Sequence, residues 1–228
     1  MARVSSHVFD KLLCHDGLGD FLGHTNCSHC GKVPRIIKCK DCLSGRLLKC
    51  PECIVILHQS LPLHRVDVSC NLTESPDGSQ SPDDFLQRWN GLFFDNDSLQ
   101  QLGLCYQVGH SGGVCPFPQA GPKNFVVLDI SGPHFITIDY CNCGDEPLTN
   151  WVQLLREKWF PATLSCLQSV FTFDCLETFH ELTLQGKTSL YDYYNTLLWR
   201  FDNAGISNPI VSSTFHSSTY SYWTPGVQ

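Results

Sequence analysis

The chain has 228 residues, of which 42% are apolar and 16% charged, and its formal net charge is -7. Such a composition suits one compact domain or two small ones and excludes a wholly disordered chain. No apolar run reaches the ~18 residues of a membrane-spanning helix, and the opening MARVSSHVFDKLLCHDG lacks the continuous apolar stretch of a secretory signal.

Taken in chain order, residues 1–26 read as an N-terminal loop. Residues 27–68 hold a cysteine/histidine cluster with short β-like pieces, IIKC and LLKC, and an apolar stretch, CIVILH, that suits a helix. Residues 69–87, rich in Ser, Pro, Asp and Gly, read as a polar linker or insertion. Residues 88–145 form a β-rich region. LGLCYQV alternates, and FVVLD–ISGP–HFITIDY is a hairpin pattern around a Gly-Pro turn.

Residues 146–205 turn to helical periodicity and predict three helices. Thr149 caps the first, through WVQLLREKW. Asp174 and Glu177 make a capping-box pattern ahead of LETFHELTL. The third helix follows Thr188, with Tyr191, Tyr194, Leu198 and Phe201 on one core face and Gly205 at its stop. Residues 206–228 show neither period and read as a loose tail. The predicted fold class is α+β: a small zinc module, then a β-hairpin region, then three helices.

The fourteen cysteines need a chemical reason. An unsecreted chain sits in a reducing compartment, where thiols stay free and CxxC pairs serve metal or redox chemistry. CSHC, CKDC and CPEC, followed by His58 and His64, supply eight soft or borderline donors, enough for two tetrahedral zinc ions. Close interleaving favours a cross-brace. Cys27, Cys30, Cys50 and Cys53 then share one ion, and Cys39, Cys42, His58 and His64 the other. Pairing neighbours in order is the alternative. The cross-brace ligand order resembles that of ZZ and B-box modules.

The motifs CSHC through PLHRV, then WNGLFF, SLQQLGL, QVGH, CPFP, FVVLD, DYCNC, QLLREKWFPAT, FTFD, LETFHELTLQGKTSLYDYY and FDN extend the pattern. Together they resemble the second class of CxC-type cysteine-cluster domain, found ahead of the catalytic region in fungal KDZ (Kyakuja-Dileera-Zisupton) transposases. The resemblance covers roughly residues 27–68 and 88–204. The polar stretch 69–87 and the ending after Asn203 depart from it, and no RNase H-like catalytic domain follows. It therefore implies a non-enzymatic, transposition-associated module, with no catalytic carboxylate assigned and a nuclear location.

A third zinc site is expected from CNCG, because Cys141 and Cys143 at i and i+2 on a strand face one side. His110 and Cys115, in the glycine-bearing loop VGHSGGVCP, complete it, with His134 as an alternative nitrogen donor. Cys14, Cys70, Cys105, Cys166 and Cys175 stand alone as small core residues or free thiols, and His180 as a packed or surface histidine.

Charge divides unevenly. From Cys27 to Arg65, seven bases (Lys32, Arg35, Lys38, Lys40, Arg46, Lys49, Arg65) face two acids, a balance of 7 - 2 = +5. From Val66 onward six bases face seventeen acids, 6 - 17 = -11. Six thiolates on two Zn²⁺ reduce the first block to about +3. Two partner readings follow: DNA held by those seven bases, with steep salt dependence, or a protein partner or self-association. The pI of about 5.7 sits below the strongly basic footprint of an autonomous DNA binder. No membrane or small-molecule substrate is expected, and zinc filled by four protein donors leaves no position for a catalytic water.

Overall fold

A computed structural model of the chain describes residues 26–32, 36–43, 47–69, 95–110, 113–144, 148–164 and 167–201, together with Val8. Most of the N-terminal loop, the polar linker apart from Ser69, the tail and Gly205 lie outside the described residues, as do Cys14, Cys70, Cys166, Arg35 and Arg46. The chain divides into two compact units: Met1–His58 with His64–Gly103, and Gln59–Leu63 with Leu104–Gln228. No described helix is long and apolar enough to cross a membrane.

In the first unit, β1 (Ile36–Cys39), β2 (Val66–Ser69) and β3 (Asp95–Asp97) form an antiparallel sheet in that order, with Cys39 opposite Val66. IIKC is thus a strand, whereas LLKC contributes only an isolated bridge, Lys49 to Ile37. Helix α1 (Pro51–Leu57) starts on Pro51, whose missing N–H costs nothing there, and ends at His58. Ile37, Leu48, Ile54 and Val66 are buried. Leu99 of the same unit is buried as well.

The second unit is built on a mixed six-stranded sheet, with order β4-β7-β6-β9-β8 and β5 paired to β7. Its strands are β4 (Cys105–Gln107), β5 (Pro118–Ala120), β6 (Phe125–Asp129), β7 (Gly132–Cys141), β8 (Trp159–Pro161) and β9 (Ser169–Thr172). Helices α2 (Asn150–Arg156), α3 (Phe173–Gly186) and α4 (Leu190–Phe201) complete it. β4 runs parallel to β7, and β6 parallel to β9.

FVVL of β6 is apolar without alternation because it is buried on both faces. Phe125 and Val127 join Leu154 of α2 and Trp159 in one core; Val126 and Leu128 join Cys175, Leu176, Tyr193, Tyr194 and Leu197 in the other. The stretch read as purely helical therefore also carries β8 and β9, the latter in the middle of the sheet.

Several local expectations shift for physical reasons. The β6–β7 hairpin pairs Asp129 with Gly132, so the turn is Ile130–Ser131 and Gly132-Pro133 already belongs to β7. Gly132 has φ +125°, and a Cβ there would stand 3.1 Å from Leu197 O and Phe201 Cβ. α2 stops at Arg156; Lys158 takes φ +60° and the chain enters β8, burying Trp159 that was expected on the helix. Thr149 holds the N-cap position of α2 without a side-chain cap bond.

α3 is capped by Thr172, whose hydroxyl accepts from Cys175 N at 3.2 Å, and Asp174 sits in the first turn rather than at the cap. Ser189 does the same for α4, which follows Thr188 as expected, accepting from Asp192 N at 3.1 Å. The buried face of α4 is Tyr193, Tyr194 and Leu197, whereas Tyr191 is 70% exposed. Leu190, partly buried against the same core, takes the place expected for Tyr191.

Candidate metal centres

Cys27 and Cys30 sit on a tight turn closed by Gly31 N donating to Cys27 O at 2.9 Å. Cys50 and Cys53 flank the first turn of α1. The four sulfurs converge, with Cys30 Sγ 3.7 Å from Cys50 Sγ. The first and third pairs are thus neighbours in space.

The second pair meets the histidines. Cys39 ends β1 and lies 3.5 Å (Sγ) from His64 Nδ1; Cys42 Sγ lies 3.4 Å from His58 Nε2 and 3.4 Å from His64 Nδ1. His58 Nδ1 donates to Ile54 O at 2.8 Å, which leaves the Nε2 lone pair facing Cys42. Asp41, inside CKDC, accepts from Arg65 N at 2.7 Å and from the Arg65 guanidinium at 2.6 Å, tying the Cys39–Cys42 turn to the residue after His64. Sequence reasoning passed over Asp41; its position between two ligand cysteines was the available signal.

The third group lies in the second unit. His110 Nε2 is 3.1 Å from Cys141 Sγ, at the end of β7, and 3.8 Å from Cys143 Sγ; Cys115 Sγ is 3.5 Å from Cys143 Sγ. His134, the alternative donor, is elsewhere: its Nε2 meets Ser131 Oγ at 2.8 Å. The Ser131 hydroxyl donates to Asp129 Oδ2 at 2.6 Å, so it accepts from His134, and this trio clamps a hairpin turn rather than forming a nucleophile.

These distances test the fit to metal. Around tetrahedral zinc, with Zn–S of about 2.3 Å and Zn–N of about 2.05 Å, two thiolates stand about 3.8 Å apart, and a thiolate and an imidazole nitrogen about 3.6 Å. A disulfide would bring sulfurs to about 2.05 Å. The observed separations run from 3.4 to 3.8 Å, with His110–Cys141 shorter at 3.1 Å, all far from a disulfide's; all eleven described cysteines are free, and in each group the four ligand atoms lie within 4.8 Å of one another. Three Cys/His groups can each hold a metal ion, with donor sets and spacings consistent with zinc.

The third group lies among the later motifs of the resemblance, from SLQQLGL onward. Residues 99–205 match the family model for the CxC2-like cysteine cluster associated with KDZ transposases. No curated protein and no solved structure matches the chain. The CxC2-like stretch contains the third group, while the first two, between residues 27 and 64, precede it.

Burial and hydrogen bonding shift the thiols of the three groups in both directions. Burial pushes the Cys39 thiol up to about 12 and the Cys50 thiol further. In the CxC2-like stretch, Cys141 and then burial raise Cys143 to about 11. Such thiols release their protons when a metal compensates the charge. Cys27 goes the other way: burial opposes its thiolate, but N–H groups of Cys30, Cys50 and His29 bring it down to about 6. Burial holds His58 and His64 below the usual histidine value, so both imidazoles are free to ligate at neutral pH. Burial alone would raise the Asp41 carboxyl, but the Arg65 guanidinium and N–H hold it below its usual range.

Five of the seven bases assigned to nucleic acid, all but Arg35 and Arg46, lie among the described residues. Lys32 is exposed, but Lys38 is 9% exposed, Lys40 Nζ pairs with Asp67 at 2.9 Å, and Arg65 is bound to Asp41. Lys49 Nζ donates to Leu47 O at 3.1 Å.

Proposed function

We propose that this chain is a non-catalytic zinc-binding module of a KDZ transposase-like protein, holding three Zn²⁺ and acting in the nucleus as an assembly surface in transposition. The convergence of twelve Cys and His ligand atoms into three complete four-donor sets carries this reading. When bound, each ion cross-links chain segments distant in sequence. Four protein donors fill each tetrahedron, so the role of the metal is structural.

Assembly through protein contact is favoured over DNA by the state of the bases: two are bound to carboxylates and a third is buried. Each unit also exposes large apolar side chains, Ile56 and Leu57 on α1 in the first, Tyr191 and Trp199 on α4 in the second. The +5 balance between Cys27 and Arg65 supports the DNA reading as the second choice.

Metal analysis of the purified chain tests the reading, with about three zinc ions per chain expected from the ligand count. Two or fewer would refute the three-ion assignment. Duplex DNA titrated at rising salt separates the two roles. Affinity falling steeply with salt would replace assembly by DNA binding; no affinity at low salt supports assembly.

A further inference from the structure

We infer that Gln153 of α2 and Glu157 at its C-cap are positioning residues for the third metal centre, setting the geometry of two of its four ligands. The inference rests on reading His110, Cys115, Cys141 and Cys143 as a metal site.

Gln153 is 2% exposed. A primary amide is a costly residue to bury, and it is tolerated only when its donors and acceptor are satisfied. Here they are, and by one target above all. Oε1 accepts from Cys141 N at 2.8 Å, Nε2 donates to Cys141 O at 2.8 Å, and the second Nε2 proton goes to Leu148 O at 2.8 Å. The side chain thus pairs with both backbone groups of a ligand residue, as a neighbouring strand would, at the end of β7. β4 stops short of this point: its last pairing is Gln107 with Asp139.

Four residues on, the same helix reaches the other ligand. Glu157 Oε1 accepts from Gly109 N at 3.1 Å, and Oε2 accepts from the Tyr106 hydroxyl at 2.8 Å. Gly109 immediately precedes His110. It takes φ +83°, and a Cβ there would stand 3.3 Å from Cys141 Cβ and 3.6 Å from Gln153 Oε1. Only glycine combines that backbone conformation with so close an approach. His110 and Cys141, 31 residues apart and 3.1 Å from Nε2 to Sγ, are therefore both referenced to one helix. Such outer partners fix ligand orientation, and their loss typically weakens metal binding about 10- to 100-fold.

The full chain loaded with ¹¹³Cd allows the test, because the three groups offer four, two and three thiolates and so give separate resonances. Q153L fills the same space without the amide. Its three-thiolate resonance should shift or broaden, and chelator competition should show about 10- to 100-fold weaker binding at that site alone. E157Q, which keeps the shape, should show the same effect at smaller size and decides the matter if Q153L does not fold. T172A, a destabilising change in the same unit away from the ligands, controls for general loss of stability.

Unchanged resonance and affinity in both variants, or an equal loss in T172A, would overturn the inference. Wild-type chain giving only two cadmium resonances would instead overturn the third metal site itself.

Discussion

The Thr172 hydroxyl donates to Asp129 Oδ1 at 2.8 Å while accepting from Cys175 N at 3.2 Å, so a carboxylate at the end of β6 orients the cap of α3. Asp129 also accepts from Ser131 N at 3.1 Å and from the Ser131 hydroxyl. One half-buried carboxylate thus organises a hairpin turn, a strand end and a helix start.

T172A should cost about 1–2 kcal/mol, the usual loss of a side-chain cap, and T172S should recover most of it. Burial alone would raise the Asp129 carboxyl, but Ser131 and Thr172 hold its pKa below 3.8. With the folded value depressed, its stabilisation is complete above the unfolded pKa and is lost as pH falls through the folded one. Denaturant melts of wild type and D129N should therefore differ at pH 7 and converge only in strong acid, as pH falls through the depressed folded pKa. A constant gap across that range would contradict the assignment.

Chelation should separate the two units. The first holds two of the three candidate metal groups, and each metal site contributes folding energy on the order of 10 kcal/mol. Exhaustive chelation should remove amide-exchange protection from β1 and α1 while the central strands β6 and β9 keep theirs. Protected amides in α1 of a metal-free chain would refute a metal-dependent first unit.

Asp41 and Arg65 lend themselves to paired substitution. R65A removes a half-exposed ion pair, worth about 0.2–1 kcal/mol, but leaves the backbone N–H of residue 65 bonded to Asp41. D41A removes both and should cost about 1 kcal/mol more. Equal losses would mean that the backbone bond contributes nothing to holding the Cys39–Cys42 turn.

The face of α4 is open to a direct check. Tyr191→Ala should change stability by less than about 0.5 kcal/mol, because the side chain is in solvent. Leu197→Ala, at 1% exposure, should cost about 2–5 kcal/mol. A large loss at Tyr191 would restore the face read from periodicity alone.

By itself the sequence determined what is local. A two-residue gap between cysteines sets how both thiols point, so the ligand residues of the first two groups were legible from spacing. The apolar runs of β6 and β7, the helical CIVILH of α1 and the existence of α3 and α4 were likewise legible from local pattern. Tertiary structure decided which distant segments meet. Cys27 and Cys30 converge with Cys50 and Cys53, not with the next pair along the chain, because Ile37 N and Lys49 O, and Lys49 N and Ile37 O, bond across the intervening loop. His110 rather than His134 joins Cys141 because β4 runs parallel to β7 and Gly109 passes against Cys141, a pairing no periodicity encodes. The strand β9, the cap at Thr172 and the amide of Gln153 were hidden likewise: each takes its role from a partner remote in sequence, and spacing carries no record of that partner.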